Sequence, residues 1–231
     1  MRILALVAAR GASKRLPGKN IRELGGRPLV VWTINVAKDI ESICDILAST
    51  DDATTAAICE KAGAFVPWLR PAELATDTAS SVDVALHALD WYESEKGVVD
   101  GLLLLQPTSP FRTRETVRKG IELFKRGDGQ RPVVGVSPSE THPMWIFKIQ
   151  DNYLQPLLRS RGSKRRSQDL PPAFVLNGSL YLVPPSILRA ERSFLGPQTT
   201  PLIVESKREA LDIDDEWDWS IALTLATSCD E

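Results

Sequence analysis

The chain has 231 residues, of which 43% are hydrophobic and 25% are charged, and its formal net charge is −2. This length is sufficient for one large α/β domain, and the composition is ordinary for a globular protein in water. Because the charge is nearly balanced, the surface as a whole is not built to attract a polyanion, so any recognition of an anion must be local.

The three cysteines, Cys44, Cys59 and Cys229, are dispersed and show no Cys-x-x-Cys spacing. This pattern predicts neither a disulfide framework nor a zinc site, and it fits reduced thiols. The first apolar stretch is too short for a signal peptide, and no run approaches the ~20 residues of a membrane helix. We therefore expect a soluble, cytoplasmic protein with no membrane partner.

Apolar runs alternate with helix-like segments through the first 140 residues. Continuous apolar runs predict buried strands, and a period of 3.6 residues with capping residues predicts helices. The predicted strands are 3–9, 44–50, 64–68, 101–106 and 132–137, and the predicted helices are 28–40, 51–63, 78–97 and 112–127. This alternation predicts an α/β fold with a doubly wound, mostly parallel sheet.

The pattern changes between residues 139 and 175, where prolines interrupt polar, weakly periodic sequence. This segment is predicted to leave the main sheet as an arm or β-ribbon. Segments 178–183 and 208–214 are predicted to return as strands, and 215–228 is predicted to be the last helix. Since there is no internal repeat or low-complexity tract, we expect one domain over residues 1–231.

The first loop, residues 9–20, concentrates positive charge in Arg10, Lys14, Arg15 and Lys19. Open α/β sheets bind ligands at the carboxyl ends of their strands, and this loop follows the first strand. It contains neither a Walker A nor a GxGxxG pattern. Its cations, expected at exposed positions, could wrap a polyphosphate, or the loop could be a solvated basic loop that binds nothing.

Two acids stand two residues apart in the segment LDID, at Asp212 and Asp214. On a strand their side chains would share one face, and two carboxylates at a strand end suit Mg²⁺ held together with substrate phosphates. Alternatively, the acids of this region only cap the last helix. Capping explains Asp215 and Glu216 but not an acid inside an apolar strand.

The predicted strand 101–106 ends in a neutral amide, Gln106, and Pro107 and Pro110 stop the sheet after it. An amide can both donate and accept hydrogen bonds, so it suits a hydroxylated sugar, although it could also simply cap the turn. The basic run 159–166 has no interleaved aromatic residues, which favours a solvated surface over a nucleic-acid site.

Five segments carry a resemblance that covers nearly the whole chain: AARGASKRLPGKN (8–20), RPAELATDTASS (70–81), LLQPTSPFRT (104–113), RRSQDLPPAFVLNGSLYLV (165–183) and LDIDDEWDW (211–219). In this order they resemble the motifs of the acylneuraminate cytidylyltransferases, the CMP-sialic acid synthetase family. The resemblance implies a nucleotide-diphospho-sugar transferase-like fold whose protruding arm, 139–175, serves in dimerisation. It also implies a homodimer.

The resemblance implies that CTP and a nine-carbon 2-keto-3-deoxy sugar acid react to give a CMP-sugar and pyrophosphate. It implies catalytic roles for Arg10, Lys19 and Asp214. The nucleotide-binding residues that it implies are Ala9, Arg10, Gly11, Ser13, Lys14, Lys19, Asn20, Arg70, Ser80 and Ser81. The sugar-binding residues that it implies are Gln106, Arg166, Gln168, Asn177 and Tyr181, and the ligands of Mg²⁺, or of Mn²⁺, are Asp212 and Asp214.

Alternatives remain for several of these residues and for the function. Ser80 or Ser81 could serve only to start a helix, Tyr181 could belong to the core, and Arg166 and Gln168 could act in a partner's site. RLPGK also resembles the Kdo cytidylyltransferases, while the DxD pattern is found in nucleotide-sugar glycosyltransferases. A non-catalytic RNA-binding module is the most remote alternative.

Two departures from the family bear on the choice of sugar. Val175 stands where some sialate enzymes have a basic residue, and Trp145 stands where others have lysine. A more apolar pocket is expected to favour an acid with a C9 methyl group and a second acylamino group, of the legionaminic or pseudaminic type.

Overall fold

The computed structural model describes residues 1–158, 166 and 169–227. The strands in this part of the chain are β1 (Ile3–Ala8), β2 (Glu23–Leu24), β3 (Arg27–Pro28), β4 (Ile43–Ser49), β5 (Gly101–Leu105), β6 (Val133–Pro138), β7 (Phe147–Gln150), β8 (Tyr153–Pro156), β9 (Phe174–Val183) and β10 (Thr200–Ile203). The α-helices are α1 (Leu29–Ala37), α2 (Ala53–Lys61), α3 (Ser81–Lys96), α4 (Arg114–Arg126), α5 (Pro185–Glu191) and α6 (Glu216–Thr227).

A six-stranded sheet forms the centre of the molecule, in the order β10-β6-β9-β5-β1-β4. Strand β9 runs antiparallel to both β5 and β6, and the other neighbouring pairs are parallel. The predicted mostly parallel sheet is therefore confirmed. Because β1 lies between β4 and β5, the chain leaves it first to one side and then to the other. Ligands of open α/β sheets bind at such a switch point.

The alternating side chains of β1 explain why this strand is apolar throughout. Ile3 and Ala5 pack in one cluster with residues of α4, whereas Leu4 and Leu6 pack in another with residues of α3 and α5. Both faces of the strand are thus covered by helices, as in other parallel sheets. This arrangement is the doubly wound architecture predicted from the sequence.

Side-chain caps fix the starts of three helices near the carboxyl ends of the strands. Asp52 accepts a hydrogen bond from Thr55 N at 2.7 Å at the start of α2, and Ser80 and Thr113 cap α3 and α4 in the same way. Pro28, predicted as the first residue of a helix, instead precedes α1 with an extended backbone and pairs in the short ribbon β2-β3.

Two predicted strands are wrong. Segment 64–68 forms only a single bridge to the edge strand β4, at Phe65, and the next residue, Leu69, bridges to Thr50 just after β4. Segment 208–214 is a turn followed by irregular backbone outside the sheet, and the strand that completes the edge is β10. The alternation of apolar and acidic residues in LDID imitates a strand, but hydrogen bonds to loops hold this segment in place of a ladder.

The arm contains a β-hairpin, β7-β8, whose turn residues Asp151 and Asn152 have φ of 53° and 65°. Positive φ at both central residues is typical of the type I′ turns that join hairpins. Its apolar side chains are exposed, with Ile149 at 77%, Tyr153 at 74% and Leu154 at 70%. The predicted β-ribbon is present, and its use in dimerisation stays a prediction.

Among the described residues, no helix combines the length and the apolar character that crossing a lipid bilayer requires. Helix α6 instead packs on a small cluster beside the sheet, in which Trp219 and Ile213 contact Leu16 of the first loop. This cluster brings the end of the chain against the loop after β1.

Candidate active site

A cleft of about 300 Å³, the first cleft, opens at the carboxyl ends of β1 and β5. Side chains from the first loop, from the segment before α3 and from the end of β5 form its wall. The polar and charged members of this wall are Arg10, Ser13, Lys19, Asn20, Arg70, Thr76, Asp77, Ser81, Gln106 and Thr108. Six of the residues predicted for nucleotide binding therefore converge, although they come from distant parts of the chain.

The first loop is folded onto the protein body. Leu16 is fully buried, and Gly18 adopts a left-handed conformation with φ of 66°. The Asn20 side chain donates to Arg10 O at 2.8 Å, which braces the start of the loop against its end. A Cβ at Gly11 would lie 2.6 Å from Cβ of Asp52, so only glycine permits this approach to α2.

The cations of this loop meet carboxylates across the mouth of the cleft. Arg10 and Lys14 both pair with Asp77, at 2.9 and 2.6 Å, and these contacts depress the pKa of the Asp77 carboxyl. Arg15 pairs with Asp214 at 3.1 Å. Ser13 lies between them in the wall. Cations held at separate carboxylates can exchange these partners for the oxygens of a polyphosphate.

Arg22, which follows the loop, turns away from the cleft. It pairs with Glu216 at 2.8 Å, and its guanidinium lies 4.5 Å from the ring centroid of Trp219. Its role is to attach the loop to α6.

Lys19 is buried, with 9% of its surface exposed, so the expected exposed position is wrong. Its ammonium donates to Ile213 O at 2.6 Å. Burial lowers the pKa of Lys19, and the nearby carboxylates of Asp214 and Asp212 raise it in part. The sequence could not show this burial, because the segment that covers Lys19 is about 190 residues away along the chain.

Arg70 reaches the cleft from the strand-like segment beside β4. Its Nε donates to Ser49 Oγ at 2.9 Å, and its Nη2 donates to Ser49 O. Burial lowers the pKa of Arg70 to about 10, which keeps the guanidinium charged at neutral pH. Ser81 lies in the wall, whereas Ser80 caps α3 through Asp83 N at 3.0 Å, as the helix-start alternative predicted.

Ala9 and Gly11 contribute backbone to the site. Ala9 N donates to Ser49 O at 2.9 Å, and Gly11 N donates to a side-chain oxygen of Asp51 at 2.8 Å. These bonds fix the exit of the chain from β1, so that the following cations face the cleft.

Asp212 and Asp214 flank the fully buried Ile213, so both carboxylates point outward although the segment is not a strand. Ile213 N donates to Thr108 O at 2.8 Å, and Lys19 holds the carbonyl group of the same residue. Burial raises the pKa of Asp212, a hydrogen bond from Thr108 lowers it, and Asp214 raises it further. The segment is thus fixed between two loops at the edge of the cleft.

In the described part of the chain, no group of three or more His, Cys, Asp or Glu side chains could hold a metal ion. The donor set at Asp212 and Asp214 is instead a pair of carboxylates beside Arg15 and Lys19 of the first loop. This set fits Mg²⁺, which commonly takes one or two protein carboxylates and completes its shell with water and substrate phosphates.

Gly178 and Asp212 lie close to Gln106, which is in the wall of the first cleft. A Cβ at Gly178, whose φ is 72°, would lie 2.9 Å from Gln106 Oε1 and 3.7 Å from Asp212 Oδ2. Asp212 is also in the wall of a second cleft, of about 620 Å³. Its wall includes Ser137, Ser139, Glu140, Val175, Leu176, Asn177, Lys207 and Leu211. The more apolar second cleft therefore comes close to the basic first cleft at Asp212.

The other residues predicted for sugar binding lie in different environments. Asn177 is buried and accepts from Ser179 N at 3.0 Å, bracing an irregularity between β6 and β9. Tyr181 is half-buried with its ring 5.5 Å from that of Phe194, as the core alternative predicted. Among the described residues, Arg166 is exposed, pairs with Asp169 at 3.1 Å and is in the wall of neither cleft. Gln168 lies outside the described residues.

Several residues of the site were not predicted. Asp77 stands inside the quoted segment 70–81, and Thr108 stands inside LLQPTSPFRT, so a closer inspection of polar residues in these motifs could have found both. No sequence signal shows that Asp77 pairs with two cations of the first loop. That contact joins residues more than 60 positions apart.

A protein-family model described as cytidylyltransferase matches residues 4–132, which include the first loop and the end of β5. The chain belongs to the cytidylyltransferase family. Family membership identifies a nucleotidyltransferase enzyme, as the sequence motifs predicted, and favours this interpretation over a glycosyltransferase or an RNA-binding module.

This cytidylyltransferase is 39% identical over 233 residues to the CMP-N,N'-diacetyllegionaminic acid synthase of Legionella pneumophila, covering 97% of this chain and 96% of that relative. It is 32% identical over 224 residues to an N-acylneuraminate cytidylyltransferase of Escherichia coli, covering 97% of this chain but 52% of that protein. It is 27% identical to the pseudaminic acid cytidylyltransferase of Campylobacter jejuni, covering 97% and 96%.

Among solved structures, a CMP:2-keto-3-deoxy-manno-octonic acid synthetase complexed with CTP matches with a TM-score of 0.73 at 13% identity, covering 99% of both chains. The 4-diphosphocytidyl-2C-methyl-D-erythritol synthase of Anaerococcus prevotii matches with a TM-score of 0.66 at 13% identity, covering 98% of this cytidylyltransferase and 96% of that chain. At such identities the likeness concerns the fold alone. It confirms the predicted fold class.

Proposed function

We propose that this protein transfers the cytidylyl group of CTP to a nonulosonic sugar acid, a nine-carbon 2-keto-3-deoxy acid, and releases pyrophosphate. The observation that carries the proposal is the pair of adjoining clefts. The basic first cleft suits a nucleoside triphosphate, and the second cleft suits a sugar with apolar substituents. Asp212, in the wall of the second cleft, lies close to Gln106 in the wall of the first. Relatives named for three different nonulosonic acids support the same substrate class.

On the nucleotide side, Arg10 and Lys19 line the first cleft with Arg70 and Ser81, and Lys14 pairs with Asp77 at its mouth, so these cations could neutralise the triphosphate. In the reaction the anomeric hydroxyl oxygen of the sugar acid bonds to the α-phosphorus and loses its proton. The bond from that phosphorus to the bridging oxygen breaks, and pyrophosphate leaves. Fixed cations favour this step because negative charge grows on the leaving group.

The carboxylates of Asp212 and Asp214 would hold Mg²⁺ against the phosphates. The ion, when bound, would supply further charge neutralisation at the reacting phosphate. Lys19 would help to fix the positions of both carboxylates, because its ammonium donates a hydrogen bond to the carbonyl group of Ile213, the residue between them in the sequence.

On the sugar side, Gln106 can bond sugar hydroxyl groups, while Val175, Leu176 and Leu211 form an apolar part of the second cleft. An apolar wall favours a sugar that carries a C9 methyl group and a second acylamino group over a more hydroxylated sialic acid. The 39% identity to a diacetyllegionaminic acid synthase agrees with this choice. We therefore propose a legionaminic-type acid as the preferred substrate. Trp145 lies in a turn before the hairpin and is not in this wall.

A coupled pyrophosphate-release assay with CTP, Mg²⁺ and a panel of sugar acids tests the proposal. The panel contains legionaminic, pseudaminic and N-acetylneuraminic acids, with the eight-carbon acid Kdo as a shorter comparison. We expect turnover with the nonulosonic acids and the highest kcat/KM with the legionaminic-type acid, by about tenfold over N-acetylneuraminate, since one polar or apolar contact changes such ratios by ~1–3 kcal/mol.

Equal or higher efficiency with N-acetylneuraminate would contradict the choice of sugar but not the reaction. Turnover with Kdo alone, or no turnover with any acid, would contradict the proposed function itself.

A further inference from the structure

Arg112 is a cation in the protein core, and the proposed binding of CTP, the sugar acid and Mg²⁺ does not explain its position. It is 2% exposed and, among the described residues, is in the wall of neither cleft. Taking a charged side chain out of water costs several kcal/mol unless its surroundings compensate. A residue that only filled this space could be apolar, so the guanidinium requires a more specific reason.

The guanidinium connects two backbone segments that both carry parts of the site. Its Nη2 donates to Gln106 O at 2.8 Å, at the end of β5, and its Nε donates to Ser179 O on β9. Ser179 directly follows Gly178, the residue whose backbone approaches the Gln106 side chain. One rigid, planar group thus sets the separation of the two segments that meet at the boundary of the clefts.

The charge of Arg112 is directed toward the same boundary. Burial lowers the pKa of Arg112, while the carboxylates of Asp212 and Glu209 raise it in compensation. Glu209 itself is held by the cap of α4, where Thr113 Oγ1 donates to it at 3.1 Å. The remaining nitrogen, Nη1, has no hydrogen-bond partner among the described residues, so the two carbonyl contacts are the fixed connections of this group.

We propose that Arg112 is a positioning residue of the transferase reaction. By holding the Gln106 and Ser179 carbonyl groups, it places the Gln106 amide and the bare backbone of Gly178 opposite Asp212, where the sugar hydroxyl meets the α-phosphorus. It acts through these neighbours, from the core side, without touching the substrates. The inference rests on the proposed function, because it requires that the sugar acid in the second cleft also contacts the Gln106 amide.

The test compares Arg112→Lys, which keeps the charge but loses the planar fork, with the matched control Arg114→Lys. Arg114 stands two residues further on, partly exposed, and donates to Asn35 O at 3.1 Å. For wild type and both variants, the KM for the sugar acid and kcat are measured by pyrophosphate release, the Kd of CTP by calorimetry, and Tm by thermal unfolding.

We expect Arg112→Lys to lower kcat/KM for the sugar acid by about tenfold or more, with a raised KM, since small displacements of a positioning group have effects of this size. The Kd of CTP should stay within about twofold, because the cations proposed to bind its phosphates lie on the first loop, whereas the described hydrogen bonds of Arg112 go to Gln106 and Ser179. Arg114→Lys should behave as wild type. A merely structural role would lower Tm and the active fraction but leave the KM for the sugar acid unchanged, and that result would overturn the proposal.

If Arg112→Lys does not fold, Gly178→Ala decides, because its methyl carbon would lie 2.9 Å from Gln106 Oε1 and disturb the same junction from the cleft side. A raised KM for the sugar with an unchanged Kd of CTP supports the proposal, and an unchanged KM overturns it. Absence of turnover in the wild type would overturn the proposed function and this inference together. Turnover in the wild type with an unaffected sugar KM in the variant would overturn this inference alone.

Discussion

Lys19 carries a buried ammonium group between the first loop and the acidic segment 212–214. Burial of this charge is unfavourable for folding. The ammonium donates a hydrogen bond to a main-chain carbonyl group, and the carboxylates of Asp212 and Asp214 lie nearby. A group held in this way is ready to neutralise a phosphate without rearrangement. We therefore expect Lys19 to contribute more to catalysis than to stability.

The variant Lys19→Met tests this expectation because it keeps the length of the side chain and removes the charge. The cost of burying the charge is relieved and the hydrogen bond to Ile213 O is lost, so the free energy of unfolding should change by less than about 1 kcal/mol. We expect kcat to fall by about 10²-fold or more. Lys61→Met, at the exposed end of α2, is the control. A kcat within about threefold of wild type would show that Lys19 is structural.

The difference in stability between the wild type and Lys19→Met is expected to depend on pH. The pKa of Lys19 in the folded protein is below its ordinary value of 10.5, so between the two values the unfolded chain binds more protons. Wild-type stability should therefore rise, relative to Lys19→Met, as the pH increases through this window. Urea titrations at several pH values measure the difference, and a difference that falls with pH would contradict the assigned cause.

In the described structure, the Asp214 carboxylate forms a salt bridge with the exposed Arg15 side chain. We expect Asp214→Asn to keep the fold and to lower kcat by ~10²-fold or more at saturating Mg²⁺, because one ligand and one charge are lost. Asp215→Asn is the matched control, since Asp215 caps α6 through Trp217 N at 2.9 Å and asparagine caps equally well. Near-normal activity of Asp214→Asn would remove the metal assignment.

Asp77 neutralises Arg10 and Lys14 at the mouth of the first cleft, where a phosphate would compete with it. The variant Asp77→Asn should therefore bind pyrophosphate and CTP about 3- to 10-fold more tightly, measured by calorimetry at low salt. Glu73→Gln removes the same charge from an exposed position of the same segment and should have little effect. Weaker CTP binding by Asp77→Asn would mean that Asp77 itself contacts the nucleotide.

Among the secondary-structure elements, the sequence predicts the strands that are buried along their length, but it does not predict the edge strand β10. Strands β1, β5 and β6 are apolar on both faces, so their runs predict them closely. The edge strand β10 has four residues including Pro201, too short and too interrupted to stand out. LDID has the alternation of a strand, but Thr108 O and the Lys19 ammonium hold it instead of a neighbouring strand.

The hairpin β7-β8 exposes apolar side chains on a two-stranded unit, which is marginally stable by itself in water. We propose that a second copy of the chain covers it, in a homodimer with an interface above ~1,000 Å² in total. The double variant Ile149→Glu and Leu154→Glu should be monomeric by light scattering at micromolar concentration, while the wild type is dimeric. Val98→Glu, an exposed apolar position far from the arm in sequence, is the control.

A fully active wild-type monomer would contradict the dimer. If the variant becomes monomeric and also loses sugar turnover, the arm of one copy serves the other copy's site. Arg166 and Gln168, the latter outside the described residues, are the side chains predicted for that role.

At the scale of the whole molecule, the fold gathers charge that is nearly balanced in the chain as a whole. The net charge is −2, yet the first cleft collects cations from the first loop and from Arg70, with Asp77 as the carboxylate in its wall. The motifs indicated which residues meet there, and two of them, the first loop and the segment from Gln106, directly follow the strands β1 and β5. Their partners, such as Asp77 for Arg10, depend on loop packing that periodicity and motifs do not describe.

The central claim is that this site joins the α-phosphorus of CTP to the anomeric hydroxyl group of a nonulosonic acid. The most direct measurement follows CTP labelled with ³²P at either the α- or the γ-position, with legionaminic acid and Mg²⁺, by chromatography and mass spectrometry of the products. We expect the α-label to appear in a CMP-sugar and the γ-label in pyrophosphate, in equal amounts. Transfer of the γ-label to the sugar, release of the γ-label as inorganic phosphate, or no sugar-dependent product would contradict it.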